Sequence, residues 1–214
     1  MSLTSRPVDA FLAAIRSSNP TPGGGSASAL AGAMGASLLA MVAGLPKSRA
    51  ATDEDASRLR VAGERCVALA TDLERLVDRD SEAYDTVLAA YKLPKGTDQE
   101  KAARSGAIQD ALRAAIATPL QVMRDCAAAA EQAVVVASLG LSSASSDVQV
   151  GVELLAAAAR GARLNVEINL ENVKDTDYLA RVRKDVNELD LLTGRQADLA
   201  RRAMGNWRPM ASGS

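Results

Sequence analysis

Thr21-Pro22-Gly23-Gly24-Gly25-Ser26-Ala27-Ser28-Ala29-Leu30-Ala31-Gly32-Ala33-Met34-Gly35-Ala36 is the stretch on which the reading of this chain turns. Three consecutive glycines let the backbone take positive φ and lie flat against a ligand or another chain segment. Ser26 is expected to cap the helix that follows. A glycine-rich turn feeding a helix N-terminus is a site for an anion such as a carboxylate or phosphate; it is equally a tight turn before a buried helix. The helix carries Ser28, Gly32 and Ala36 on one face with Ala29 and Ala33 beside it. Small faces let two helix backbones approach closely.

No charged residue occurs between Arg16 and Lys47, a span long enough to cross a bilayer. Ala, Ser and Gly contribute little to insertion, and bulky apolar residues are few, so a membrane span is rejected. A helix apolar on all sides must be buried, here in a protein core or a dimer interface.

Outward from this segment almost everything reads as helix. Val8, Phe11, Leu12 and Ile15 mark a short helix over 7–16. Pro46 ends the small-residue helix. Thr52, with Asp55 three residues on, starts a helix to Tyr91, on the order of 55 Å long. Leu93-Pro94-Lys95-Gly96 breaks it, and Thr97 with Glu100 opens the next, which Pro119 is expected to kink or split. A serine-rich loop over 140–146 precedes a helix over about 147–171 capped by Ser145 or Ser146, and a last helix covers about 176–204. The expected fold is all-α: an irregular multihelical bundle of long and short helices, dimeric, with one domain over 1–205 and a flexible tail over 206–214.

Composition narrows the function. A formal charge of −1 over 214 residues recruits neither nucleic acid nor an anionic membrane surface. Aromatic residues are too scarce for base stacking. Cys66 and Cys126 have no metal-type spacing and fit free thiols of a reducing cytosol. The N-terminus lacks a signal-peptide pattern, and a cytoplasmic location is expected. Histidine is absent, which removes Ser-His catalysis, His-ligated zinc and any imidazole base.

Asp80 is the sharpest local signal. Leu73, Val77, Asp80, Tyr84, Val87 and Tyr91 recur at helical spacing on one face, so a carboxylate interrupts an apolar stripe. Partial desolvation raises such a pKa and suits it to proton transfer near neutrality; pairing with an arginine is the other reading. Asn165 and Asn169 lie one turn apart, Asn169 on an apolar face where its amide needs partners. Asp147 suits the start of its helix, with or without a ligand. Lys92, Lys95 and Arg104 are open to two readings, a site for an acidic substrate tail or a solvated face.

These residues resemble the formiminotransferase-cyclodeaminase family: its cyclodeaminase domain and stand-alone bacterial relatives, some described as methenyltetrahydrofolate cyclohydrolases. The resemblance rests on the 21–26 loop, Asp80-Ser81-Glu82-Ala83-Tyr84, 90–95, 107–112, Ser146-Asp147-Val148 and 165–170, in that order over nearly the whole chain. It implies a helical homodimer with a cleft near the subunit interface and a tetrahydrofolate carrying one carbon unit as ligand. It implies that Gly23, Gly24, Gly25 and Ser26 line the folate pocket, that Asp80 is the acid–base carboxylate, and that Asp147, Asn165 and Asn169 are polar pocket groups, with Lys95 as a further substrate contact. Cyclodeamination and cyclohydrolysis both call for proton transfer, with no metal and no cofactor beyond the tetrahydrofolate substrate. Leu141 follows Gly140 where the family commonly has Asn, and 45–48 also departs. The alternative reading is a catalytically inactive folate-binding or scaffold dimer of the same fold.

Overall fold

The computed structural model describes residues 2–205. Its helices are α1 (Val8–Ile15), α2 (Gly24–Ala43), α3 (Asp53–Tyr91), α4 (Asp98–Leu139), α5 (Ser145–Leu170) and α6 (Thr176–Gly205), with a 3-10 turn at Ser142–Ala144. The all-α expectation holds, and no strand occurs among the described residues. The predicted tail over 206–214 lies outside the described residues.

α2 lies between α3 and α5, and α4 packs against α2, α3, α5 and α6. α3 and α5 each pack against both α2 and α4 and make at most marginal contact with one another; α6 covers α4 and α5. The small-residue face explains how α2 fits there. A Cβ on Gly35 would meet the Gly151 carbonyl of α5 at 2.8 Å, and one on Gly32 would meet Cys126 Sγ of α4 at 2.9 Å. Ala29, Ala36, Leu39 and Val42 are sealed from solvent. α2 is also long and apolar enough to span a bilayer, but half of that window is buried in this subunit. Its other side leaves Met34 and Met41 exposed.

Two caps follow the sequence. The Thr52 side chain accepts from the Asp55 N–H, and Thr97 with Glu100 forms a reciprocal capping box. Three expectations are corrected. Ser26 does not cap α2: Gly23 is the N-cap, and Ser26 lies inside the first turn. Neither Ser145 nor Ser146 caps α5, because the 3-10 turn leads straight into it and places Ala144 at the boundary. Of the two outcomes expected at Pro119, a kink or a split, the split does not occur: α4 runs unbroken through it.

The last point has a physical cause. Proline has no N–H for the carbonyl four residues earlier, Ala115. The Asn169 side chain of α5 supplies the missing donor: its Nδ2 donates to Ala115 O at 3.3 Å and to Asn165 O at 2.9 Å. A buried carbonyl that would otherwise be orphaned is satisfied from the neighbouring helix.

Candidate active site

α2 begins where a glycine has no side chain to cap it. Gly23 is extended, with φ −125° and ψ −152°. An N-cap side chain ordinarily accepts from the N–H two or three residues on. Here Asp80, in the middle of α3, takes that part. Its Oδ2 accepts from Ser26 N at 2.8 Å and from Ser26 Oγ at 3.1 Å. The Ser26 hydroxyl also reaches Val77 O at 2.9 Å and lies 3.3 Å from Ser81 Oγ, so Ser26 is locked onto α3 from several sides.

The glycine run is required at this contact. A Cβ on Gly25 would overlap the Asp80 carboxylate, whereas one on Gly24 would meet the Asn165 side chain at an ordinary 3.6 Å. The three-glycine loop, Asp80 and Asn165 therefore come together in one subunit, from three different helices. Asn165 Nδ2 donates to Gly161 O at 2.8 Å, and Asn169 sits one turn further along. Both amides have their N–H donors turned to backbone carbonyls, which leaves Oδ1 of each as an acceptor for something else.

Burial pushes the Asp80 carboxyl above the ordinary aspartate range, and its hydrogen bonds from Ser26 oppose that rise without cancelling it. The α2 dipole also favours the ionised form, so the group sits between two opposed influences. With Oδ2 held by Ser26, Oδ1 has no hydrogen-bond partner among the described residues. The N–H groups of Gly24 and Gly25 are likewise unpartnered by them. A free carboxylate oxygen, two free N–H donors and the Asn165 amide border the same spot, and Asn169 lies one turn further along α5. Such a set can bind a neutral heterocycle through alternating donors and acceptors and move a proton on or off it.

The stripe around Asp80 changes character at that residue. Leu73 and Val77 are fully buried under α2, but Tyr84 and Tyr91 are 38% and 43% exposed. α2 stops at Gly24, level with Asp80 and Asn165, so it leaves the C-terminal parts of α3 and α5 without their central neighbour. Both aromatic rings stand along this part of α3.

Two predicted site residues are not beside Asp80. Asp147 opens α5, eighteen residues before Asn165 and about 27 Å away at the rise of an α-helix. It cannot touch a small ligand at Asp80 of its own subunit. Lys95 lies in the turn after α3, beyond Tyr91, itself about 16 Å from Asp80 along the helix. There it joins Lys101, Arg104 and Lys174 around a groove of about 480 Å³. The periodicity that singled out Asp80 carried no sign of Lys101 and Lys174, since they become neighbours only when α4 and the α5–α6 turn meet.

Leu141, the departure noted in the sequence, packs partly buried against the core at the Asp147 end of α5. It is remote from Asp80 within this subunit.

Comparison with known proteins agrees with this picture. Residues 7–188 match the family model described as formiminotransferase-cyclodeaminase. A methenyltetrahydrofolate cyclohydrolase of Methylorubrum extorquens is 38% identical over 182 residues, covering 85% of this chain and 88% of that protein. The formimidoyltransferase-cyclodeaminase of Sus scrofa is 34% identical over 188 residues, but the match covers only 35% of its length. The crystal structure of formiminotetrahydrofolate cyclodeaminase from Thermotoga maritima superposes with a TM-score of 0.85 at 22% identity, over 95% of this chain and 98% of that one, which establishes the fold.

Proposed function

Since the chain belongs to the formiminotransferase-cyclodeaminase family, we propose that it is a folate one-carbon enzyme that opens the methenyl bridge of 5,10-methenyltetrahydrofolate by hydrolysis. The observation that carries the reading is the partly buried Asp80 carboxylate, pinned by one oxygen to Ser26 and free at the other, beside the bare Gly24-Gly25 backbone. The match to the cyclohydrolase across most of both chains favours the methenyl substrate over the formimino one.

The chemistry asks for little more than placement and one proton carrier. Water adds to the electrophilic methenyl carbon and loses a proton as it does so. Asp80 Oδ1 accepts that proton. The tetrahedral adduct then breaks one of its two C–N bonds: the same carboxyl group returns that proton to the departing nitrogen, and the adduct's hydroxyl gives its own proton to the vacated carboxylate, and so to solvent, as the C=O bond forms. The formyl group stays on the other nitrogen. A carboxyl held above its ordinary pKa is suited to both halves, because it is neither too weak a base nor too strong an acid near neutrality. Cyclodeamination, in which N10 attacks a formimino carbon on N5 and ammonia leaves, uses the same proton traffic in the same place.

The Gly24 and Gly25 N–H groups and the amide oxygens of Asn165 and Asn169 would hold the pterin ring, and orientation of the reacting carbon over Asp80 would supply much of the rate. A homodimer is part of the proposal. α2 is apolar on all sides, yet Met34 and Met41 are uncovered and line an apolar depression with Leu30 and Leu38. Asp147 would reach a ligand at Asp80 only from the other subunit. Cys66 and Cys126 are buried free thiols, as a cytoplasmic protein would keep them.

The deciding experiment follows the near-ultraviolet absorbance of methenyltetrahydrofolate, in a buffer where spontaneous hydrolysis is slow. Purified protein should accelerate its loss catalytically. Binding without acceleration of either this reaction or deamination of the formimino substrate would point to the inactive scaffold instead.

A further inference from the structure

The first turn of α2 is fastened at a second place, on the side away from Asp80. Ser28 is buried, and its Oγ donates to Gly24 O at 2.7 Å. That carbonyl accepts the Ser28 N–H in the α-helical pattern, so the hydroxyl fills its second lone pair. Serines make this bond at exposed positions too, as Ser37 and Ser138 do. Ser28 differs in what lies against it. A Cβ on Gly161 of α5 would overlap Ser28 Oγ, so the hydroxyl occupies a place that only a glycine in the facing helix leaves open. Glycine is otherwise a poor residue for the middle of a helix. Gly161 O in turn accepts from Asn165 Nδ2 at 2.8 Å, and a Cβ on Gly24 would touch that same Nδ2 at 3.6 Å. Gly24, Ser28, Gly161 and Asn165 thus close a ring of contacts between α2 and α5.

The carbonyl held by Ser28 belongs to the peptide group whose other end is the Gly25 N–H. A peptide group is planar, so fixing the direction of Gly24 O fixes the direction of that N–H. A second hydrogen bond at the oxygen also polarises the amide and makes its N–H a stronger donor. Gly25 is buried against the Asp80 carboxylate. We infer that Ser28 and Gly161 are positioning residues that touch no substrate: Gly161 gives the Ser28 hydroxyl its place, and the hydroxyl aims and strengthens the Gly25 N–H that holds the substrate ring over Asp80. The inference rests on the folate reading of the site.

The test follows methenyltetrahydrofolate hydrolysis by wild type, Ser28→Ala, Gly161→Ala and the double variant, well below each unfolding midpoint and with circular dichroism confirming the helices. Thr71→Ala deletes the same kind of bond at an exposed position of α3 and serves as the control, with unchanged rates. Ser28→Ala and Gly161→Ala should each lower kcat by roughly tenfold while KM stays within about threefold, since the ring still binds but its reacting carbon is out of register with Asp80. Both act through one hydroxyl, so the double variant should be no slower than the slower single one. It should also be more stable than Gly161→Ala, because the overlap with Oγ is gone and Cβ of residue 28 stands at an ordinary 3.4 Å. Stability and turnover then part company, which a purely structural role does not allow. Unchanged kcat in Ser28→Ala, a change confined to KM, or losses that multiply in the double variant overturns the inference. If the wild type turns over neither the methenyl nor the formimino substrate, the folate-enzyme reading has failed separately. The Gly25 amide resonance then decides the positioning role. Loss of the bond at Gly24 O should move its nitrogen shift upfield in Ser28→Ala and also, from another helix, in Gly161→Ala; a Gly25 resonance that Gly161→Ala leaves in place overturns it.

Discussion

Oδ1 of Asp80 occupies the space that a side chain at Gly25 would need, so the reactive carboxylate and the first turn of α2 are fitted to each other at the level of single atoms. Gly25→Ala should therefore force the two helices apart or turn the carboxylate away. We expect a destabilisation of about 1–3 kcal/mol, the usual cost of overpacking, together with a large loss of turnover. Gly24→Ala meets only an ordinary contact with Asn165 and should be far milder. Thermal unfolding and initial rates for the pair check this; similar behaviour of both variants would contradict the geometry.

Removing the proton carrier should separate chemistry from folding. Asp80→Asn keeps the shape and an oxygen that can accept from Ser26 N, but it cannot accept and return a proton at neutral pH. A fall in kcat of roughly 100-fold or more is expected, within the usual range for a general acid–base residue, with the helical circular dichroism unchanged. Rates near wild type would remove Asp80 from the mechanism.

The same variant makes a prediction about stability with a definite sign. Burial raises the Asp80 pKa in the folded protein above its unfolded value. The folded state therefore holds its proton more tightly. The stability this contributes is fully present below the unfolded pKa and is lost as pH rises through the raised folded value. At neutral pH the ionised, half-buried carboxylate is a burden that Asn does not carry. Asp80→Asn should accordingly match or exceed wild-type stability at pH 7, and the difference should shrink on acidification. Denaturant midpoints across that range measure it, and a difference that grows in acid would reverse the assignment.

Ser26 tunes the group. Its hydrogen bonds favour the ionised carboxylate and hold the Asp80 pKa down. Ser26→Ala deletes the hydroxyl contact and leaves the N–H contact. The acid limb of the kcat/KM profile should move to higher pH in this variant, by less than if both bonds were lost. An unmoved limb would mean that the limb belongs to another group.

The Pro119–Asn169 pair lends itself to a double-mutant cycle. Asn169→Ala leaves Ala115 O without its side-chain donor and should cost about 1–3 kcal/mol. With Pro119→Ala already in place, residue 119 regains an N–H for that carbonyl, and the second substitution should cost less, with a coupling on the order of 1 kcal/mol. Additive costs would show that the amide is not compensating for the proline.

Much of this arrangement can be read from the chain itself. The 3.6-residue stripe and the threonine caps located α3 and the start of α4, because those signals are local. Asp80 stood out because a charge on an apolar stripe conflicts with its neighbours. Ser26 was harder: a serine after glycines has the chemistry of a cap, and its actual role depends on a carboxylate 54 positions away. The expected split at Pro119 did not occur, and the side-chain donor that reaches Ala115 O comes from another helix, which local sequence does not show. Asp147 could have been separated from Asn165 by helix rise alone, which makes the span between them a case where simple arithmetic outruns motif matching.

The mending of α4 by a side chain of α5 also bears on how this protein could be recombined. A segment exchange with a relative that moved one helix without the other would import a proline with no remedy, or a carboxamide with nothing to remedy. Crossover points in any chimera should keep positions 119 and 169 from the same parent, although they are fifty positions apart in the chain.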